Sequence, residues 1–249
     1  MIHVSIIPEH LFDIFGFPVT NTMLTAWIVT AVISVVAIAV SERFSDVPGK
    51  LQNAIEAAIE GLFDFMSSFA GDKATAKKFF PLAATIFFFV LSANWIGILP
   101  GVGSIGFHEE VGGHEAFVPI FRSVYSDLNM TLALALIVMT TVHVVGIATL
   151  GMGKHFSKFF NVHSFGDAFA GILEFIGEGA KIISFSFRLF GNVFAGEVLL
   201  VIIGALVPYV APVPFLGLEL FVGLIQALIF AVLSMLFVSA STRAHAVAH

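Results

Sequence analysis

The stretch AFAGILEFIGEGAKIISFSFRLFGNVFAGEVLLVIIGALV, residues 168–207, decides what kind of fold this chain can have. It is almost wholly apolar, yet Glu174, Glu178, Lys181, Arg188 and Glu197 are set into it. At about 1.5 Å per residue it forms a helix about 60 Å long, twice the roughly 30 Å of a bilayer's hydrocarbon core. A single upright crossing cannot use that length. The segment must tilt strongly, bend, or begin outside the hydrocarbon. An arginine at mid-bilayer costs about 2.5–3.5 kcal/mol on insertion scales, and such residues usually face a bundle interior or a wet cavity.

The rest of the chain fits a membrane protein. It has 249 residues, 58% hydrophobic and 11% charged, with 29 Phe. Soluble domains average about 25% charged, and a mean hydropathy of +1.02 excludes that class. There is no cysteine, hence no disulfide and no cysteine-ligated zinc or iron–sulfur site. No cofactor or metal is expected, and nothing points to nucleic acid. MIHVSIIPEHLF at the start lacks the basic region of a secretory signal, so the first apolar run is expected to be kept as structure.

Runs long enough to cross lie at 22–40, 79–99 and 130–150. The long segment 168–207 and a last one, 215–240, make five crossings. VPYVAPVP, 207–214, breaks helix and turns the chain between them. GVGSIG, 101–106, reads as a turn. The whole is expected to be all-α, one polytopic membrane domain over 1–249.

Cations set the orientation, because Lys and Arg in short loops stay on the cytoplasmic side. Arg43, Lys50, Lys73, Lys77, Lys78, Lys154, Lys158 and Arg243 fall on one side of the five-crossing arrangement. Only Arg122 falls on the other, together with Glu109, Glu110 and Glu115. The C-terminus is therefore expected in the cytoplasm and the N-terminus outside. Residues 48–71 form an amphipathic helix on the cytoplasmic surface, with Leu51, Ile55, Ile59, Leu62 and Met66 opposite Asn53, Glu56, Glu60 and Asp64. The acidic face suits a protein partner above it; packing on the protein's own loops is the alternative.

On a helical projection Glu174, Glu178, Lys181, Arg188 and Asn192 share one stripe, with Ser184 at its edge. Glu197 lies half a turn round and faces away from Arg188. In the last segment Glu219 and Gln226, seven apart, share a face. Antiparallel pairing brings Glu219 near Glu197, an arrangement suited to an external proton entrance. Arg188 would sit in the middle, and Glu174, Glu178 and Lys181 would line a cytoplasmic exit. Glu178 and Lys181 can also be a plain i,i+3 ion pair. No carboxylate stands three or four residues from Arg188, so its partner is expected from another chain. His143 is a weaker relay candidate, since a core histidine is the commoner role; Trp27 and Trp95 read as packing or interfacial anchors. A secondary carrier would show inverted repeats, which are not visible. A purely structural anchor does not account for Arg188.

FRLFGNVFAGEVLL resembles the signature of subunit a of the rotary proton-translocating ATP synthase. SANWIGILPG (92–101), SDLNMTLALAL (126–136) and QALIF (226–230) resemble other motifs of that family, in the same order. The resemblance implies that Arg188 is the essential arginine facing a ring of c subunits. It implies that Asn192, Glu197 and Gln226 line the proton path, and that Glu219 stands where His is frequent. It also implies a tilted hairpin of the last two helices, and a proton-channel role without bond chemistry of its own. The implied partners are the c-subunit ring, the peripheral-stalk b subunits, the remaining ATP synthase subunits and lipid. The expected location is a bacterial inner membrane, or alternatively the mitochondrial one.

Overall fold

A computed structural model describes residues 7–42, 49–71, 73–99, 101–111, 114–157, 159 and 165–242. Arg43, Pro48, Lys158 and Arg243 lie outside the described residues. The chain is a multi-pass helical membrane protein. Among the described residues, five helices are long and apolar enough to cross: α1 (Asn21–Ser41), α3 (Lys73–Ile96), α4 (Leu128–Leu150), α6 (Phe165–Leu206) and α7 (Pro212–Thr242). Between α1 and α3 runs α2 (Lys50–Ala70), with its acidic residues along one face. Between α4 and α6 lies a short helix, α5 (Met152–Ser157).

Helix boundaries follow local chemistry. Thr20 caps α1, its hydroxyl accepting from the Met23 amide at 3.4 Å. α3 starts earlier than the apolar run at 79, because Lys73, Ala74, Ala76, Lys77 and Lys78 are good helix formers whatever their polarity. α7 likewise starts before 215. Pro212 and Pro214 open the helix rather than precede it, since the first-turn N–H groups that they lack have no helical partner anyway. The turn proper is 207–211, with Tyr209 in the left-handed region at φ 77°.

α6 is unbroken over 42 residues despite Gly166, Gly171, Gly177, Gly179, Gly191, Gly196 and Gly204. In water each such glycine would weaken a helix by about 1 kcal/mol. In hydrocarbon no water is available to take over a broken backbone hydrogen bond, so the helix persists.

Two short hairpins were not legible as strands. β1 (His10–Ile14) pairs antiparallel with β2 (Phe17–Thr20). Their two-residue turn, Phe15–Gly16, has both φ values positive, at 52° and 81°, as tight hairpins require. β3 (Gly106–Val111) pairs with β4 (His114–Pro119) within the segment that joins α3 to α4. Gly101 and Gly103, both at positive φ, make the turn ahead of β3.

The chain divides into two compact units, and four helices contribute to both. The first comprises 1–44, 87–131 and 187–228; the second comprises 45–86, 132–186 and 229–249. In the second, Phe79, Val142 and Val238 form a buried cluster, and the Ser239 hydroxyl donates to the Ala70 carbonyl at 2.7 Å. Helices in lipid gain little from burying apolar surface and associate through close packing and such hydrogen bonds.

Candidate functional site

The first unit holds a cleft of about 590 Å³ whose lining includes Asn192, Glu197, Glu219, Gln226, Arg122 and Glu9. Three motifs organise this unit. In the first, Asn94 Nδ2 donates to the Gly223 carbonyl and Trp95 Nε1 to the Leu220 carbonyl, both at 3.1 Å. These bonds tie α3 to α7 along one face. Gly223 permits the approach: a Cβ there would stand 3.1 Å from that of Asn94. In the second, Asp127 accepts from the Asn129 amide at 2.8 Å, capping α4, and from the Thr22 hydroxyl at 3.1 Å, fastening α1. One carboxylate thus fixes the start of one helix against another.

The third is the AGE of α6. A Cβ on Gly196 would overlap the Glu219 carboxylate. Glycine there lets Glu219 of α7 lie against α6 beside Glu197. The two carboxylates line the same cleft, as the antiparallel pairing of these segments led one to expect.

Arg122 was legible only as a lone external cation, and the structure gives it more to do. It is 5% exposed, and its Nε donates to Glu197 Oε1 at 3.2 Å. Its Nη1 lies 3.8 Å from Glu9 Oε2, which also accepts from Asn21 Nδ2 at 2.6 Å. Its backbone amide donates to the Thr25 hydroxyl at 3.3 Å. Glu197 is therefore held through one oxygen. Its other, Oε2, is buried and accepts no hydrogen bond among the described residues. In the same unit Tyr125 is 1% exposed, and burial pushes its phenol well above the ordinary range, so it stays protonated. Gln226 is buried on α7, seven residues from Glu219. Arg188 is exposed on α6, next to Phe187, which is itself 55% exposed.

The second unit collects the other polar residues. Lys181 Nζ lies 3.1 Å from Glu178 Oε1 and 4.9 Å from the centre of the Phe237 ring. His143 Nε2 lies 3.9 Å from Glu178 Oε2, so the histidine does join the carboxylate cluster. His143 Nδ1 is 3.1 Å from Nε2 of His155, a residue that the sequence did not single out. Glu174 is half-buried one turn from Glu178, and Ser184 is exposed. Among the described residues no group of three or more His, Asp or Glu side chains is placed to hold a metal ion.

The family description "ATP synthase A chain" matches residues 23–239. The proteins named ATP synthase subunit a from Geotalea daltonii and Campylobacter fetus are each 32% identical to it, over 86% and 88% of this chain and 84% and 88% of their own. That of a Geobacter species is 30% identical over 89% of this chain and 87% of its own. The chain belongs to the ATP synthase A chain family.

Proposed function

We propose that this chain is the stator channel of a rotary ATP synthase, carrying protons to and from a ring of c subunits through two half-channels. The observation that carries the proposal is the state of Glu197. One oxygen is anchored by Arg122, while the other is buried and accepts no hydrogen bond among the described residues, on a residue that lines the cleft together with Glu219. A carboxylate held this way keeps its position while one oxygen remains available for a proton. In this reading Glu219 and Glu197 take up protons from outside, with Asn192 and Gln226 completing the path. A c-ring carboxylate that receives the proton becomes neutral and can turn through lipid, where an anion could not.

After nearly a full turn the carboxyl meets the second half-channel, formed by Glu174, Glu178, Lys181, Ser184 and His143, and releases its proton. The carboxylate left behind is stabilised by Arg188, an opposite charge at close range. A guanidinium is a fixed cation, so Arg188 also repels a proton that would leak straight across. Each charge crossing the full potential supplies about 2.3 kcal/mol per 100 mV, which drives rotation. The chain itself makes and breaks no covalent bond. It works within the assembled complex, with the c ring, the stalk b subunits and the other subunits, in a bacterial inner membrane.

The test is Glu197→Gln combined with Glu219→Gln in the reconstituted complex. Assembly should be unchanged and ATP-driven acidification of vesicles should slow markedly. Native proton flux in an assembled double variant would remove both residues from the path.

A further inference from the structure

The second unit contains a histidine pair that the half-channel reading does not use in full. His155, on α5, is 1% exposed, and its Nε2 is 3.1 Å from His143 Nδ1. The far nitrogen of His143, Nε2, lies 3.9 Å from Glu178 Oε2. Glu178 is 9% exposed and is paired through its other oxygen with Lys181. His143 therefore stands between a carboxylate on α6 and an imidazole on α5, with one ring nitrogen turned to each.

The site is built to hold His155. A Cβ at Gly146 of α4 would come within 2.6 Å of His155 Nδ1, so α4 needs glycine there to admit the ring. Phe156 and Phe159 pack edge-on against it, with centroids at 5.6 and 6.5 Å.

We infer that Glu178, His143 and His155 form a proton relay, in which His155 is the group that carries the proton from the membrane-embedded carboxylate toward the α4–α5 junction. The inference rests on the half-channel reading and deepens it. In the release direction, protonated Glu178 gives its proton to His143 Nε2 across 3.9 Å, a gap that one water or a small rotation closes. His143 Nδ1–H passes its proton to His155 Nε2. One proton enters His143 and one leaves it; His155, now doubly protonated, gives up the proton on its Nδ1, on the Gly146 side, to water. His143 ends neutral with its proton on the Glu178 side and reorients before the next transfer. The two rings cannot both hold a positive charge at 3.1 Å, so the pair carries a single excess proton at a time.

The test is His155→Ala in the whole complex, reconstituted in vesicles, with ATP-driven proton pumping and ATP hydrolysis measured together. Coupled pumping should fall by about tenfold. A positioned proton-transfer group contributes about 10²–10⁴-fold, and water entering the vacated slot carries part of the flux. Imidazole added to the vesicles should restore pumping. Pyrazole, of the same shape but far too weak a base, should not. Restoration by both alike would mean that the ring only fills space, and would overturn the relay. So would native pumping in His155→Ala. If that variant does not assemble, His155→Gln serves: it keeps an amide partner for His143 without a titrating proton, and native flux there overturns the inference equally. Arg188→Ala in the same vesicles separates the two readings. Loss of pumping in Arg188→Ala with native pumping in the His155 variants rejects the relay alone. Native pumping in Arg188→Ala rejects the half-channel reading beneath it.

Discussion

Gly196 shows how one absent side chain fixes the chemistry of two others. By helix propensity alone, alanine at this position should stabilise α6 by about 1 kcal/mol. The steric argument runs the other way, because the new methyl occupies the place of the Glu219 carboxylate. Gly196→Ala should therefore assemble normally yet lose proton pumping by roughly tenfold or more, as small misplacements of reacting groups do. Pumping at the native rate with unchanged complex stability would mean that Glu219 has no fixed place beside Glu197. Glu197, Glu219 and Gln226 were legible in the sequence because a carboxylate or amide in an apolar run is conspicuous. Arg122 and Glu9 were not legible as the ion-pair chain behind Glu197, in which Arg122 bonds Glu197 and Glu9 lies against Arg122. They come from segments 75 and 188 residues away in the chain, and no periodicity joins a loop to a helix. His155 was hidden for the same reason, in a segment read only as a loop.

At the scale of elements, the crossings could be read because hydrocarbon leaves the backbone few choices, and 20 or so apolar residues announce themselves. Their ends could not be read from hydropathy. α3 continues through Lys73, Lys77 and Lys78, and α7 begins on two prolines, because helix formation obeys backbone rules that hydropathy ignores. The hairpins β1–β2 and β3–β4 carry no clean alternation of apolar and polar residues, and β1 and β2 are recognisable only from the turn geometry at Phe15 and Gly16. The order of elements carries an orientation claim. The turn after α3 and the helix α5 should lie on opposite sides of the membrane, from the distribution of Lys and Arg. Ser104 and Ser157 are both exposed, and the chain has no cysteine to interfere. Ser104→Cys should react with an impermeant thiol reagent added outside, and Ser157→Cys only with reagent on the cytoplasmic side. Reaction of both from one side would defeat the five-crossing arrangement.

At the scale of the whole molecule, the polar residues sort into two clusters that share no member. Glu9, Arg122, Glu197 and Glu219 lie in one compact unit, and His143, His155, Glu178 and Lys181 lie in the other. Along the sequence of α6, Arg188 falls between Glu178 and Glu197. The central claim is that this cation does two things at once: it stabilises the carboxylate formed on proton release, and it bars direct passage from one half-channel to the other. An ammonium is no substitute, being more strongly hydrated and able to lose its proton when desolvated. The most direct test is passive proton flux through an assembled Arg188→Ala complex whose catalytic head has been stripped off. The account predicts that passive flux persists or rises, while the same variant with its head in place no longer pumps. A variant that assembles normally and still pumps in coupled fashion would contradict it.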